Sequence, residues 1–187
     1  HGQTETLIAI FESPAARRAG VAFVAGDRQA DGIFPLWSIA KNISAASLRR
    51  LRAAGLLSAD RELALARAWR ERIGIRTPDV ADPILSLSGG NQQKALFARA
   101  LASDARVVLM DDSMRGVDIG TKQDVYAIIR DEAARGRTFL WYTTEMDELK
   151  NCDHVYVFRE GRIVADLSRA EFTEERVLHS SFETEAA

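Results

Sequence analysis

The hydrophobic positions of this chain form two kinds of run. Short continuous apolar runs at residues 21–24, 107–110 and 138–142 predict buried strands, and the run at 107–110 is apolar on both faces, as a central parallel strand must be. Longer runs, in which apolar residues recur every three or four positions, lie between them and predict amphipathic helices. Strands that alternate with helices in this way predict an α/β fold with a mainly parallel sheet.

The predicted helices have recognisable ends. Pro14 suits the first turn of a short helix that runs to Arg18 before Gly20. An amphipathic run starts at Asn91 and breaks at Ser103, with Ala95, Ala98 and Leu101 on its apolar face. A third helix opens at Gly120 and Thr121 and ends at Gly136, and four of its residues are predicted to face inward: Val125, Ile128, Ile129 and Ala133.

Residues 38–76 predict two further helices, separated by Gly55 and capped by Ser58 or Asp60. The first run carries Ile39, Ile43, Leu48 and Leu51, and the second carries Leu63, Ala66, Trp69 and Ile73. Pro78 and Pro83 mark the loop that follows. We therefore predict an α-helical subdomain at 36–85, inserted into a core formed by 1–35 and 86–187. Its Trp37 and Trp69 are interpreted as core or interface anchors.

The two ends of the chain predict simpler elements. Residues 1–11 predict a turn and a short helix. After residue 144 the pattern predicts a short helix at 145–151, a hairpin of strands 155–158 and 163–167 around Gly161, and a last helix at 169–178. The end from Ser180 is predicted to be frayed.

Composition limits the class of protein. The 187 residues, 47% hydrophobic and with a net charge of −2, are typical of one globular domain, and no apolar run approaches the ~20 residues of a membrane span. No signal peptide is predicted, and the single cysteine, Cys152, excludes an internal disulfide and suits a reducing compartment. Many arginines lie between Arg49 and Arg76, but Glu62 and Glu71 are interleaved with them, which favours a solvated helix face over a nucleic-acid site.

The candidate chemistry is concentrated between residues 85 and 118. Ser88, Gly89 and Gly90 precede a helix whose first N–H groups and positive dipole end predict an anion site. Asp111 and Asp112 follow the predicted central strand, and carboxylates at the carboxyl end of a parallel strand suit a magnesium-bound phosphate.

These residues carry a family resemblance. LSGGNQQK at 87–94, followed by VLMDDSMRGVD at 108–118, resembles the signature, magnesium-aspartate strand and D-loop of ABC ATPases, and is most similar to the ATPase subunits of bacterial ribose, xylose and galactose importers. The resemblance implies a P-loop NTPase (RecA-like) core and ATP with Mg²⁺ as cofactors. It further implies that Asp111 holds the metal and that Asp118 lies in the D-loop.

The same resemblance implies that the chain's own ATP site is degenerate. Gly2, Gln3 and Thr4 occupy the last positions of the P-loop, so that Gln3 stands where the family carries lysine. Gly26 stands at the position of the Q-loop glutamine or glutamate, Asp112 at that of the general-base glutamate, and Thr144 at that of the switch histidine. Gln3, Gly26 and Thr144 lack the group that normally contacts phosphate at these positions. Asp112 keeps a carboxylate, but its side chain is one methylene shorter than that of glutamate.

The resemblance also predicts how the domain is used. Two ATPase domains meet head to tail in the family, so Ser88, Gly89, Gly90 and Gln92 are expected to complete the ATP site of a second ATPase domain, in the same full-length chain. The chain is then the carboxyl-terminal ATPase half of a sugar importer, beneath a membrane permease on the cytoplasmic face of the plasma membrane, with a periplasmic sugar-binding protein as an indirect partner and no nucleic acid.

Alternatives stay open at this point. A non-transport ABC ATPase working on DNA or the ribosome is disfavoured because residues 38–86 lack sustained heptads and the chain is not basic. A regulatory nucleotide-binding module without hydrolysis is a third alternative. Relative to the family, the strand that leads into the P-loop and a stretch between Glu12 and Ser13 are expected to be missing from this chain.

Overall fold

The computed structural model describes residues 14–182 of the chain. Three predictions therefore lie outside the described residues: the helix at 1–11, the P-loop positions Gly2, Gln3 and Thr4, and the missing stretch after Glu12. The chain divides into two compact units, which meet in sequence at Tyr142 and Thr143. The predicted boundaries of the helical subdomain, at 36 and 85, do not coincide with this division and stay a prediction.

The first unit is built on a parallel sheet of three strands in the order β1-β4-β5. Strand β1 (Val21–Val24) pairs with β4 (Val107–Asp111), and β4 pairs with β5 (Thr138–Tyr142). The apolar run at 107–110 is thus a central parallel strand, as predicted, with Val108 fully buried. The short helix α1 (Pro14–Arg18) precedes β1, also as predicted.

Helix α4 (Gly89–Ala102) lies largely inside this unit, because ten of its 14 residues are buried. It begins two residues before the predicted start at Asn91, and Ser88 is its N-cap. Phe97, Ala98 and Leu101 lie in one apolar core together with Val108 and Met110 of β4. This packing fixes the start of α4 relative to the sheet, where the candidate site lies.

The region between the sheet and α4 differs from the prediction in its first half. Helix α2 (Ile39–Ser44) is short, and Leu48 and Leu51 lie beyond it, followed by a small hairpin of β2 (Arg52–Ala53) and β3 (Leu56–Leu57). The turn residues Ala54 and Gly55 both have positive φ, 49° and 86°, which is the requirement of a tight hairpin turn. The predicted continuous helix to Leu51 is therefore wrong.

The second half of this region is as predicted. Helix α3 (Ala59–Ile73) is capped by Ser58, whose side chain accepts a hydrogen bond from the backbone N–H of Arg61. Trp69 is buried in the core, as the anchor interpretation requires, whereas Trp37 is 41% exposed. Pro78 and Pro83 lie in the loop that returns to α4, which contains a single 3₁₀ turn (Ile84–Ser86).

Helix α5 (Ile119–Ala134) buries a different residue from the one predicted near its end. Val125 and Ile129 are buried, but Ala133 is exposed and Glu132 is 3% exposed. Glu132 faces inward because its carboxylate pairs with the guanidinium of Arg72 and, at 2.6 Å, with that of Arg137. A buried charge satisfied by two arginines cannot be recognised from hydrophobic spacing.

Strand β5 is not the buried strand that its apolar sequence predicted. Its residues alternate between exposed and half-buried, and Leu140 and Tyr142 are 56% and 59% exposed. Phe139 and Trp141, on one face of β5, pack against the core, whereas Leu140 and Tyr142 lie on the opposite face.

The second unit is smaller and has its own core. A 3₁₀ helix (Met146–Asn151) leads to an antiparallel hairpin of β6 (His154–Arg159) and β7 (Arg162–Ser168), followed by helix α6 (Glu174–Phe182). The hairpin is as predicted and slightly longer. The last helix begins five residues later than predicted, because Thr173 caps it by accepting a hydrogen bond from the Arg176 N–H, and it continues past Ser180.

None of the helices between residues 14 and 182 is long and apolar enough to cross a membrane.

Candidate functional site

The first turn of α4 presents free backbone donors on an accessible surface. Ser88 is exposed, and its hydroxyl receives a hydrogen bond from the Asn91 side-chain amide at 2.9 Å instead of capping the helix. The first intrahelical bond runs from the Gln92 N–H to the Ser88 carbonyl at 2.8 Å. Among the described residues, no acceptor contacts the N–H groups of Gly89, Gly90 and Asn91. Such a helix start can bind an anion.

Two side chains hold this turn in place from within the same unit. Gln92 is buried, donates to the Leu87 carbonyl at 3.1 Å and accepts a hydrogen bond from the Gln29 side chain at 3.1 Å. Asn91 accepts a hydrogen bond from the Arg76 N–H at 2.9 Å. Gln92 therefore orients the turn, and its amide is already engaged by protein groups.

Asp118 lies against the same turn. A Cβ added to Gly90 would come within 3.1 Å of a carboxylate oxygen of Asp118 and 3.0 Å of the hydroxyl of Thr121. Asp118 caps α5, and the hydrogen bond from the Thr121 N–H lowers the pKa of its carboxyl group. The structure thus brings the predicted D-loop residue next to the predicted signature glycine.

Asp111 and Asp112 end the central strand in different conformations. Asp111 is the last residue of β4, whereas Asp112 has a positive φ of 45° and donates its N–H to the Tyr142 carbonyl at 2.8 Å. Partial burial, and secondarily the charge of Asp112, raise the pKa of the Asp111 carboxyl group. The Asp112 carboxylate lies 4.0 Å from a guanidinium nitrogen of Arg115.

The raised pKa of the Asp111 carboxyl group means that its negative charge is poorly stabilised, and a bound cation would stabilise that charge. Among the residues described, no donor contacts its carboxylate, and no group of three or more histidine, cysteine, aspartate or glutamate side chains is placed to hold a metal. A Mg²⁺ ion at Asp111 would therefore need further oxygen ligands from a bound phosphate and from water. Asp111 fits the role of one carboxylate ligand in such a shared shell.

Gly26, which follows β1, lies against the backbone of this acidic pair. A Cβ added to Gly26 would be 2.3 Å from the carbonyl oxygen of Asp111, far inside van der Waals contact. The sequence indicated only that Gly26 lacks a side chain at the Q-loop position. The structure adds that no side chain fits there unless the end of β4 moves.

Thr144 belongs to the second unit and follows β5 by two residues. The neighbouring Thr143 hydroxyl accepts a hydrogen bond from the Glu145 N–H at 3.0 Å, which shapes the turn into the 3₁₀ helix. The role of Thr144 at the switch-histidine position stays a prediction.

The sequence is similar to that of a known protein family. The sequence matches the ABC transporter family over residues 6–115, which is more than half of the chain. The chain belongs to the ABC transporter family. The P-loop NTPase fold class predicted from the sequence is confirmed.

Relatives of this ABC transporter chain include two sugar-import proteins. It is 43% identical over 164 residues to the ribose import ATP-binding protein RbsA 2 of Rhizobium meliloti, covering 87% of this chain and 32% of that protein. It is 37% identical over 172 residues to the arabinose import ATP-binding protein AraG of Chromohalobacter salexigens, covering 90% and 35%. The chain thus spans about a third of the length of the curated relatives it matches.

Solved ABC structures share its fold. The dimeric structure of MJ0796, a bacterial ABC transporter cassette, superposes with a TM-score of 0.70 at 18% identity, covering 84% of this chain and 67% of that one. The structure of cbiO1 from Clostridium perfringens gives a TM-score of 0.67 at 21% identity, covering 86% and 62%. At these identities the likeness shows the fold alone.

Sequence reasoning missed the groups that fix the segment between β1 and α2. Arg99 of α4 donates to the carbonyls of Gly32 and Asn42, at 2.6 and 2.7 Å, and to the side chain of Asn42 at 2.8 Å. Its guanidinium also lies 4.8 Å from the centre of the Phe34 ring. Only the buried polar character of Asn42 could have signalled this network, and burial is not visible in sequence.

The raised pKa of Asp111 leads to a prediction about the stability of the fold. Asp111→Asn is expected to raise the free energy of unfolding near neutral pH by about 0.5 kcal/mol, because solvent screens this partly buried charge. A carboxyl pKa that is raised in the folded state makes the wild-type protein lose stability as pH rises above about 3.8. The gain should therefore be larger at about pH 7.5 than at about pH 4.5.

Thermal unfolding without magnesium measures this gain, and Asp31→Asn, at an exposed carboxylate, controls for the loss of one charge. A lower midpoint for Asp111→Asn at neutral pH would contradict the electrostatic argument.

Proposed function

We propose that this chain is the carboxyl-terminal ATPase domain of a sugar-importing ABC transporter. In this proposal its Ser88, Gly89, Gly90 and Gln92 turn completes the ATP site of a second ATPase domain, carried by the same full-length protein. ATP and Mg²⁺ are the cofactors, and the domain's own nucleotide site is degenerate.

One observation carries the proposal. The signature turn (Ser88, Gly89, Gly90 and Gln92) keeps its backbone donors free, whereas positions in the chain's own nucleotide site lack their functional groups. The N–H groups of Gly89, Gly90 and Asn91 have no acceptor in the part of the chain that the structure describes. A phosphate chain arriving from a partner domain would accept these hydrogen bonds and interact favourably with the helix dipole. The relatives named as ribose and arabinose import ATP-binding proteins support the sugar-import assignment.

We propose, for physical reasons, that the chain's own nucleotide site hydrolyses ATP poorly. Phosphoryl transfer depends on positioning and on charge stabilisation, so each missing group costs rate. Gly26 offers no side chain and lies too close to Asp111 to accept one. Asp112, at the general-base position, is held in a left-handed conformation beside Arg115. When bound, Mg²⁺ would neutralise phosphate charge, and Asp111 would be its protein ligand.

A membrane permease is the proposed partner of the segment between β1 and α2. Phe34, Leu36 and Trp37 are 42%, 95% and 41% exposed, and exposed apolar residues next to one another are typical of an interaction surface. The hydrogen bonds of Asn42 to the Phe34 N–H and carbonyl hold the segment rigidly. The assembly would lie on the cytoplasmic face of the plasma membrane, with a periplasmic sugar-binding protein supplying the sugar.

No observation favours the DNA-associated, ribosome-associated or purely regulatory alternatives, and the relatives reported above are named as import proteins.

ATP turnover by the isolated chain tests the proposal. We expect turnover at least 100-fold slower than that of the assembled transporter, because loss of a single donor to a transition-state charge already costs about 10²–10³ in rate. The full-length protein with its permease, measured in the same buffer, is the reference. Rapid turnover by the isolated chain, with ordinary affinity for ATP, would show that its own site is intact and would refute the proposal.

A further inference from the structure

The guanidinium of Arg28 lies directly on the first turn of α4. A Cβ added to Gly89 would be 2.8 Å from Nη2 of Arg28 and 3.3 Å from its Cζ. The absence of a side chain at Gly89 is therefore what allows the cation to reach the turn. Sequence reasoning did not single out Arg28.

The backbone of Arg28 is held so that its side chain reaches this position. Arg28 begins a single π-helical turn (Arg28–Gly32), and Asp27 caps that turn by accepting hydrogen bonds from the N–H groups of Gln29 and Ala30 at 2.9 and 3.0 Å. The neighbouring Gln29 is tied to Gln92 of α4. The Gln29–Gln92 hydrogen bond thus ties the Arg28 segment to the signature turn, and the Asp27 cap fixes the backbone of that segment.

Two positive groups meet at this place. The start of α4 carries a partial positive charge, and Arg28 adds a full one. In the described part of the chain no carboxylate contacts the Arg28 guanidinium, and its Nε is buried without an acceptor. Asp27 interacts electrostatically with Arg28, but its carboxylate is hydrogen-bonded within its cap, and the Asp118 carboxylate, beside Gly90, accepts from Thr121. A phosphate bound at the turn would interact favourably with both the helix start and the guanidinium.

We infer that Arg28 is a further ligand of the phosphate chain that the signature turn receives, so that the partner's ATP is contacted by a guanidinium as well as by backbone N–H groups. This inference rests on the proposed function of the turn. A planar guanidinium donates two parallel hydrogen bonds to phosphate oxygens, and these charge-assisted bonds are stronger than those of neutral amides. Arg28 would position the triphosphate before hydrolysis and would not act on the reacting atoms.

The test uses the full-length transporter with its permease and follows the KM for MgATP and kcat separately. Arg28→Gln is expected to raise the KM about tenfold, the effect of losing one charge-assisted hydrogen bond, and to leave kcat within about twofold. Arg28→Lys, which keeps the charge but not the paired donors, should raise the KM by a smaller factor. Arg67→Gln, an exposed arginine on α3, is the matched control and should leave the KM unchanged.

The thermal midpoint of each variant separates ligand contact from packing. An unchanged midpoint with a raised KM for Arg28→Gln supports the inference. A KM within about twofold of wild type for both Arg28 variants overturns it, as does an equal rise for Arg67→Gln. If wild-type transporter hydrolyses no ATP, or if blocking the turn at Ser88 has no effect on its rate, the proposed function itself has failed, whatever the Arg28 variants do.

Discussion

Ser88→Arg in the full-length transporter is expected to reduce ATP hydrolysis at least 100-fold, whereas Asp112→Asn changes it by less than about twofold. Ser88 is the exposed N-cap of α4, directly before the free N–H groups of Gly89 and Gly90. An arginine side chain there would occupy the space of the incoming phosphate chain and would offer no acceptor to the turn. Asp112, in contrast, belongs to the degenerate site, which contributes little to turnover.

The rate of phosphate release by purified transporter, at saturating MgATP, measures both variants. Ser180→Arg, which makes the same substitution on helix α6 of the second unit, controls for the added charge and bulk. The opposite result, with Asp112→Asn inactive and Ser88→Arg active, would mean that the working site is this chain's own and that the signature turn is idle.

Gly26→Ala is expected to destabilise the protein by about 3 kcal/mol, at the upper end of the range for forcing extra atoms into a packed interior. The added Cβ would lie 2.3 Å from the Asp111 carbonyl oxygen, and that atom is backbone in the central strand, which cannot rotate away as a side chain can. Relief requires β1 and β4 to separate where they are paired at Val24 and Met110.

For a chain of this size the loss corresponds to a fall in the thermal midpoint of about 6–12 °C. Gly120→Ala is the matched control, because a Cβ there meets only a carboxylate oxygen of Asp118 at 3.4 Å, and alanine favours a helix. A Gly26→Ala midpoint within about 2 °C of wild type would show that the end of β4 can shift cheaply. The Q-loop position could then accept a side chain, and one argument for a degenerate site would be lost.

The two sites depend on different kinds of evidence. The signature turn is a local structure, because its donors, cap and glycines are adjacent in sequence and their chemistry follows from the start of one helix. The degenerate site was inferred from absent groups at Gln3, Gly26 and Thr144 and from the shortened side chain of Asp112, and these residues are far apart in sequence. The structure explains two of these positions. At Gly26, contact with the Asp111 backbone excludes a side chain. At Asp112, a left-handed φ sets the direction of the side chain.

The wrong predictions share a physical cause. The continuous helix to Leu51, the inward-facing Ala133 and the buried strand at 138–142 all came from hydrophobic spacing. Spacing reports which residues prefer burial, but it does not report a hairpin turn at Ala54 and Gly55 or a carboxylate buried between Arg72 and Arg137. It also cannot report that only one face of β5 packs against the core.

The sequence by itself determined the fold class, the central strand at 107–110, the start of the signature helix to within two residues, and the family to which the chain belongs. These features are encoded locally, by apolar runs, caps and a short motif whose residues are consecutive. Only the tertiary structure decided that Asp118 lies against Gly90, that Gly26 lies against Asp111, and that Arg28 reaches Gly89. Those contacts join residues that are distant in the chain, and close packing of strands and helices, not any local preference, brings them together.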